Sequence, residues 1–109
     1  MASVDAEIAS KIKEYIERLI NAGLDVKEAY LYGSHANGRA SPDSDIDIAL
    51  VTENGRQDEQ LLWRLRRAID VLIEPVAYRR DEFCRESPLV WEILKTGIKL
   101  VDDGRWILE

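Results

Sequence analysis

One cysteine, one histidine, one methionine and one phenylalanine are all that this chain has of those four residue types. The lone Cys84 excludes an internal disulfide and any multi-cysteine metal site. It reads as a small apolar residue on or near a helix. No apolar stretch reaches the roughly 18 residues of a membrane span. The N-terminus lacks the basic-then-apolar signature of a signal peptide, so a cytoplasmic location without membrane contact is expected. Positive charge is also scarce: 15 Lys and Arg stand against 21 Asp and Glu, giving a net charge of -6. Phosphate contacts need clustered basic residues, so direct nucleic-acid binding is not expected. The one local exception is Arg64, Arg66 and Arg67 with Arg79 and Arg80. It reads as a solvated helix face plus a turn; the sharper alternative is a docking patch for an acidic partner or a nucleic-acid tail.

What is present suits a globular protein: 46% hydrophobic and 33% charged residues in a chain of 109. That length suits one compact domain over residues 1–109 with one modest core. Residues 4–22 predict a helix, with Ile8, Ile12, Ile16 and Leu19 at spacings of three and four. Ser3 or Asp5 would cap its start, and Asn21-Ala22-Gly23 would end it. Val26–Tyr32 predicts a strand, 36–39 a short helical turn, Ser41-Pro42-Asp43-Ser44 a loop, and 46–51 a buried strand broken at Glu53-Asn54-Gly55. Residues 57–69 predict a helix with Leu61, Leu62, Leu65, Ala68 and Ile69 inward. A third strand over 71–78 contains Pro75, which suits an edge or a strand end. A helical turn is expected at 80–85, and a helix opening at Pro88 and ending before Gly97. A short strand follows at 98–101, with a further one near Trp106-Ile107-Leu108. The expected fold class is α/β, in the sense of an α+β sandwich: a small mixed β-sheet flanked by helices. Trp63, Trp91 and Trp106 read as core or interface anchors.

The chemistry concentrates in one stretch: Gly33-Ser34, ten residues, then Asp45-Ile46-Asp47. Residues i and i+2 of a strand share a face. Asp45 and Asp47 therefore point one way, and Ile46 and Ile48 point into the core. Two carboxylates this close repel each other unless a cation neutralises them. Hard oxygen ligands suit Mg²⁺, which binds one or two carboxylates together with phosphate oxygens. Gly33 permits close backbone approach to a phosphate. Ser34 adds a hydroxyl donor, and the amides of such a turn can form an anion-binding nest. Asp47 inside a buried strand needs solvent, a partner or a metal. His35, the only histidine, reads as a surface or hydrogen-bonding residue, with a direct role at the site as the alternative. Arg39 and Ser44 either touch phosphate or shape the loop.

The Gly-Ser, ten residues, Asp-x-Asp pattern resembles the signature of the nucleotidyltransferase superfamily with the DNA polymerase beta fold. The small size, Ile73-Glu74-Pro75-Val76, Arg80-Asp81-Glu82-Phe83 and the stretch from Pro88-Leu89-Val90-Trp91 to Gly97-Ile98 resemble its minimal nucleotidyltransferase (MNT) group. The resemblance spans roughly residues 8–101. It implies that Asp45 and Asp47 bind two Mg²⁺ ions and that Gly33 and Ser34 hold the triphosphate of a nucleotide, ATP being the substrate by resemblance. A third carboxylate on the neighbouring strand completes such sites. Glu74 is the candidate for both metal binding and catalysis, although Asp is more usual there. Asp70 has the same strand parity and is the runner-up.

Chains resembling this one commonly act as antitoxins of small helical HEPN-type proteins. The resemblance thus implies transfer of AMP to a hydroxyl on such a partner, with a homo- or hetero-oligomer as the working form. The acidic surface suits a basic partner. One rival reading is an inactive binding module that neutralises its partner by contact, which the Glu at position 74 favours. A weaker one is a small-molecule transferase of the antibiotic-modifying type, for which no acceptor domain is present.

Overall fold

A computed structural model describes residues 4–53 and 59–108. The elements run α1 (Ala6–Asn21), β1 (Val26–Tyr32), α2 (Ser34–Asn37), β2 (Ile46–Thr52), α3 (Glu59–Arg66), β3 (Ile73–Tyr78), α4 (Pro88–Thr96), β4 (Ile98–Asp102) and β5 (Arg105–Trp106). Asp5 caps α1: its carboxylate accepts from the amides of Glu7 and Ile8, satisfying two donors that a helix start leaves open. Ile12, Tyr15, Ile16 and Leu19 are the buried stripe of α1.

The five strands form one mixed sheet in the order β3-β2-β1-β4-β5. β1 is antiparallel to β2 and β4, and β2 is parallel to β3. Parallel neighbours need a crossover, and α3 supplies it. Pro75 lies in β3, an edge strand, where its missing donor costs the sheet least.

The two faces of the sheet are covered unequally. Ile46, Ile48 and Leu50 of β2 join Leu31 and Ile73 in the main core with α1 and Leu62 of α3. On the other face Ala49, Tyr30 and Tyr78 pack against Val90 and Ile93 of α4, with Phe83 alongside. The period-two alternation predicted for β2 therefore holds, and it sends Asp47 to the α4 face.

The helix expected at 57–69 ends at Arg66; 67–69 are turns and Ala68 is exposed. Residues 54–55 of the expected strand break and 57–58 of that helix lie outside the described residues. The helical turn expected at 80–85 is a single turn, Glu82 N and Phe83 N donating to Arg79 O at 3.0 and 3.1 Å, and it does not extend to 85. Phe83 anchors it to the sheet, its ring stacked 5.2 Å from Tyr30 and edge-on 5.4 Å from Tyr78. Cys84 is consequently an exposed loop residue, not one on a helix. Pro88 occupies the first turn of α4, as its fixed φ favours. Among the described residues no helix is long and apolar enough to cross a membrane.

Candidate active site

The turn between β1 and α2 is shaped by Gly33, whose φ of 76° and ψ of -152° belong to a region essentially restricted to glycine. A second constraint acts there: a Cβ built on Gly33 would overlap the Asp47 carboxylate at Oδ2. The missing side chain is thus the space that Asp47 occupies. The Ala36 and Asn37 amides donate to Gly33 O at 3.1 and 3.2 Å, closing the single turn of α2. The amides of Ser34 and His35, which open that turn, have no partner within the helix itself.

Strand register sets the rest. Tyr32 pairs with Asp47 across β1 and β2, and Asp47 pairs with Glu74 across β2 and β3. The three side chains form a continuous row on one sheet face. Asp45 precedes the strand by one residue and is exposed at the same edge. Burial raises the Asp47 carboxyl above its usual range; the negative charges of Asp45 and Glu74 raise it further, against an opposing pull from His35. Burial, then Asp47, Tyr78 and Glu74, push the Tyr32 hydroxyl up to about 12.

The structure thus brings Gly33, Asp47 and Glu74 together and places Asp45 and Ser34 at the rim. It treats Asp70 differently. That residue sits in the turn before β3, where its Oδ1 accepts from Leu72 N at 2.9 Å and its Oδ2 from Lys11 Nζ at 2.9 Å. The Leu72 amide and then Lys11 hold its carboxyl below the usual range, against the effect of burial. Asp70 is committed to pinning α1 against the β3 entry. Ser44 shapes its loop: its Oγ accepts from Ser41 N at 2.8 Å. His35 is half-buried and, with Lys11, Ser41, Ser44 and Asp70, lines a cavity of about 370 Å³.

Sequence reasoning missed two neighbours of the site. Tyr32 precedes the glycine turn, but only register reveals that it faces Asp47. Arg66 belongs to a run of arginines that reads as a solvated face. Its Nη1 instead donates to the carbonyls of Val71 and Ile73, the latter at 3.0 Å, and lies 3.9 Å from Glu74 Oε1. Its guanidinium also covers the Trp63 ring at 4.4 Å. Arg64, Arg67, Arg79 and Arg80 are exposed, as a solvated face requires. Trp106 packs on the core, whereas Trp91 is half-exposed beneath Lys95.

A family model described as polymerase beta, nucleotidyltransferase matches residues 10–105. The chain belongs to this nucleotidyltransferase family. Its fold is also that of a solved structure from Sulfolobus solfataricus, titled a "putative nucleotidyltransferase", with a TM-score of 0.59 at 19% identity. The alignment covers 99% of this chain and 97% of that one. No curated protein matches the chain. In this nucleotidyltransferase domain the donor set fits the divalent ions that the fold implies. Asp45, Asp47 and Glu74 are hard oxygen donors, and a cation would relieve the crowding of their charges. Among the described residues no group of three or more His, Cys, Asp or Glu already converges around an ion position. Phosphate oxygens of a bound nucleotide would have to complete any such shell.

Proposed function

We propose that this nucleotidyltransferase moves a nucleoside monophosphate, AMP from ATP, onto a hydroxyl of a partner protein, and that it serves as the antitoxin of a HEPN/MNT pair. The observation that carries the chemical part is the Gly33–Asp47 fit, with Glu74 in register beside Asp47. Mg²⁺ held by Asp45, Asp47 and Glu74 would supply charge stabilisation at the transferring phosphorus and its leaving oxygen. The chain's own residues do the rest. Gly33 lets the backbone approach the triphosphate, and the Ser34 amide and hydroxyl offer donors to it. Glu74, half-exposed on its edge strand and ion-paired with Arg66, either ligates a metal or takes the proton of an incoming hydroxyl. β3 is an edge strand of the sheet, and an acceptor carried by another chain would approach on that side. The choice of ATP and of a HEPN-type partner rests on the resemblance, and the net charge of -6 supports a basic partner.

The test is incubation with α-labelled ATP, Mg²⁺ and the candidate partner. Label on the partner that disappears in D45N and D47N supports transfer. One observation favours the rival reading of a contact-only module: Glu74 stands where Asp is usual and pairs with Arg66. Neutralisation that survives both substitutions without label transfer would decide for that rival.

A further inference from the structure

Arg66 is a cation placed against the row of carboxylates, 3.9 Å from Glu74, and it is held there by groups other than Glu74. Its Nη1 bonds two carbonyls at the β3 entry, and its planar head covers the face of Trp63. The guanidinium is therefore a fixed charge. The Glu74 side chain, 41% exposed, is the movable member of the pair, and at 3.9 Å it forms an ion pair without a hydrogen bond. Glu is one methylene longer than Asp. It can rest beside Arg66 or reach toward its strand neighbour Asp47.

Resting on the nucleotidyltransferase reading above, we infer that Arg66 makes this site select a metal–nucleotide complex over the bare divalent cation. A dication arriving alone meets a carboxylate already neutralised by a fixed positive charge, and that charge repels it. An incoming triphosphate reverses the balance. Its negative charge is attracted by Arg66, and the complex draws Glu74 toward Asp47. Arg66 is thus a specificity-determining and positioning residue, not a solvated member of the α3 arginines. In a watery, salt-screened setting, a unit charge and a dication several ångströms apart alter binding by about three- to tenfold.

The experiment measures bare Mn²⁺ binding from the loss of the free-ion electron paramagnetic resonance signal, and binding of the Mn²⁺–nucleotide complex by equilibrium dialysis of labelled nucleotide, because the nucleotide alone already removes the free-ion signal. It is run with and without α,β-methylene-ATP, on wild type, R66Q and D47N, each checked for a cooperative melt. The expected result is that R66Q binds bare Mn²⁺ about three- to tenfold tighter than wild type and the Mn²⁺–nucleotide complex equally or more weakly. Bare Mn²⁺ binding by R66Q that equals or falls below wild type, while wild type still binds the complex, overturns this inference alone. If wild type binds no Mn²⁺ even with the analogue, or D47N binds as wild type does, the functional reading falls and takes the inference with it. Should R66Q fail to fold, E74D keeps the Arg66 backbone bonds and draws the carboxylate away from the guanidinium. Bare Mn²⁺ must then bind tighter than in wild type; unchanged or weaker binding overturns the inference.

Discussion

Replacing Gly33 with alanine confronts two separate demands of the structure. The backbone at φ 76° and ψ -152° is closed to side-chain-bearing residues, and holding one there costs about 1–3 kcal/mol. The added methyl would also overlap Asp47 Oδ2. The carboxylate can rotate away, so the overlap costs site geometry more than stability. For a domain of this size the strain corresponds to a fall in melting temperature of about 4–12 °C. G38A is the internal control. Gly38 has φ 72° and ψ 18°, and a Cβ there meets nothing within 4 Å. It carries only the left-handed penalty of about 1–2 kcal/mol. The assay pairs thermal unfolding with Mn²⁺–nucleotide binding. G33A should lose stability and bind at least about tenfold more weakly, a change of about 1.4 kcal/mol, while G38A loses stability and binds as wild type. A G33A variant that binds normally would refute the claim that the missing Cβ makes room for the Asp47 carboxylate.

Three further outcomes are expected. Y15F removes the buried hydroxyl that donates to Leu62 O at 2.8 Å; urea unfolding should show a loss of about 1 kcal/mol, and an unchanged midpoint would contradict this α1–α3 link. The Asp47 carboxyl is raised on folding by burial and then by Asp45 and Glu74, so its contribution to stability falls as pH rises above the unfolded carboxylate value. In chelator-treated protein D47N should therefore melt higher than wild type at pH 7 and converge with it near pH 3. The Asp70 carboxyl is lowered, by the Leu72 amide first; its stabilisation is present above the unfolded value and lost as pH falls, so D70N should melt lower than wild type at pH 7, with the gap closing in acid.

Local features were legible in the sequence because they rest on short-range physics. The cap at Asp5, the stripe of α1, the glycine turn, the alternation of β2, the edge position of Pro75 and the start at Pro88 each follow from periodicity or backbone chemistry. Register is different: it is fixed by packing between segments distant in the chain. No spacing rule places Tyr32, Asp47 and Glu74 in one row, or separates Glu74 from Asp70, which share strand parity. Asp70 falls outside β3 because its carboxylate is used by the Leu72 amide and Lys11. Arg66 eluded the pattern because α3 ends at that residue and the chain doubles back, bringing the carbonyls of Val71 and Ile73 within its reach. The turn expected over 80–85 stops at Phe83, which seats on two tyrosines of the sheet.

The most direct test of the site is a crystal structure with Mn²⁺ and α,β-methylene-ATP, read at the manganese anomalous edge. The account predicts anomalous density bridging Asp45, Asp47 and the phosphates, with the phosphate chain on the Gly33-Ser34 turn and Glu74 turned from Arg66 toward the metal. Nucleotide and metal bound elsewhere, with Asp45 and Asp47 uncoordinated, would contradict it.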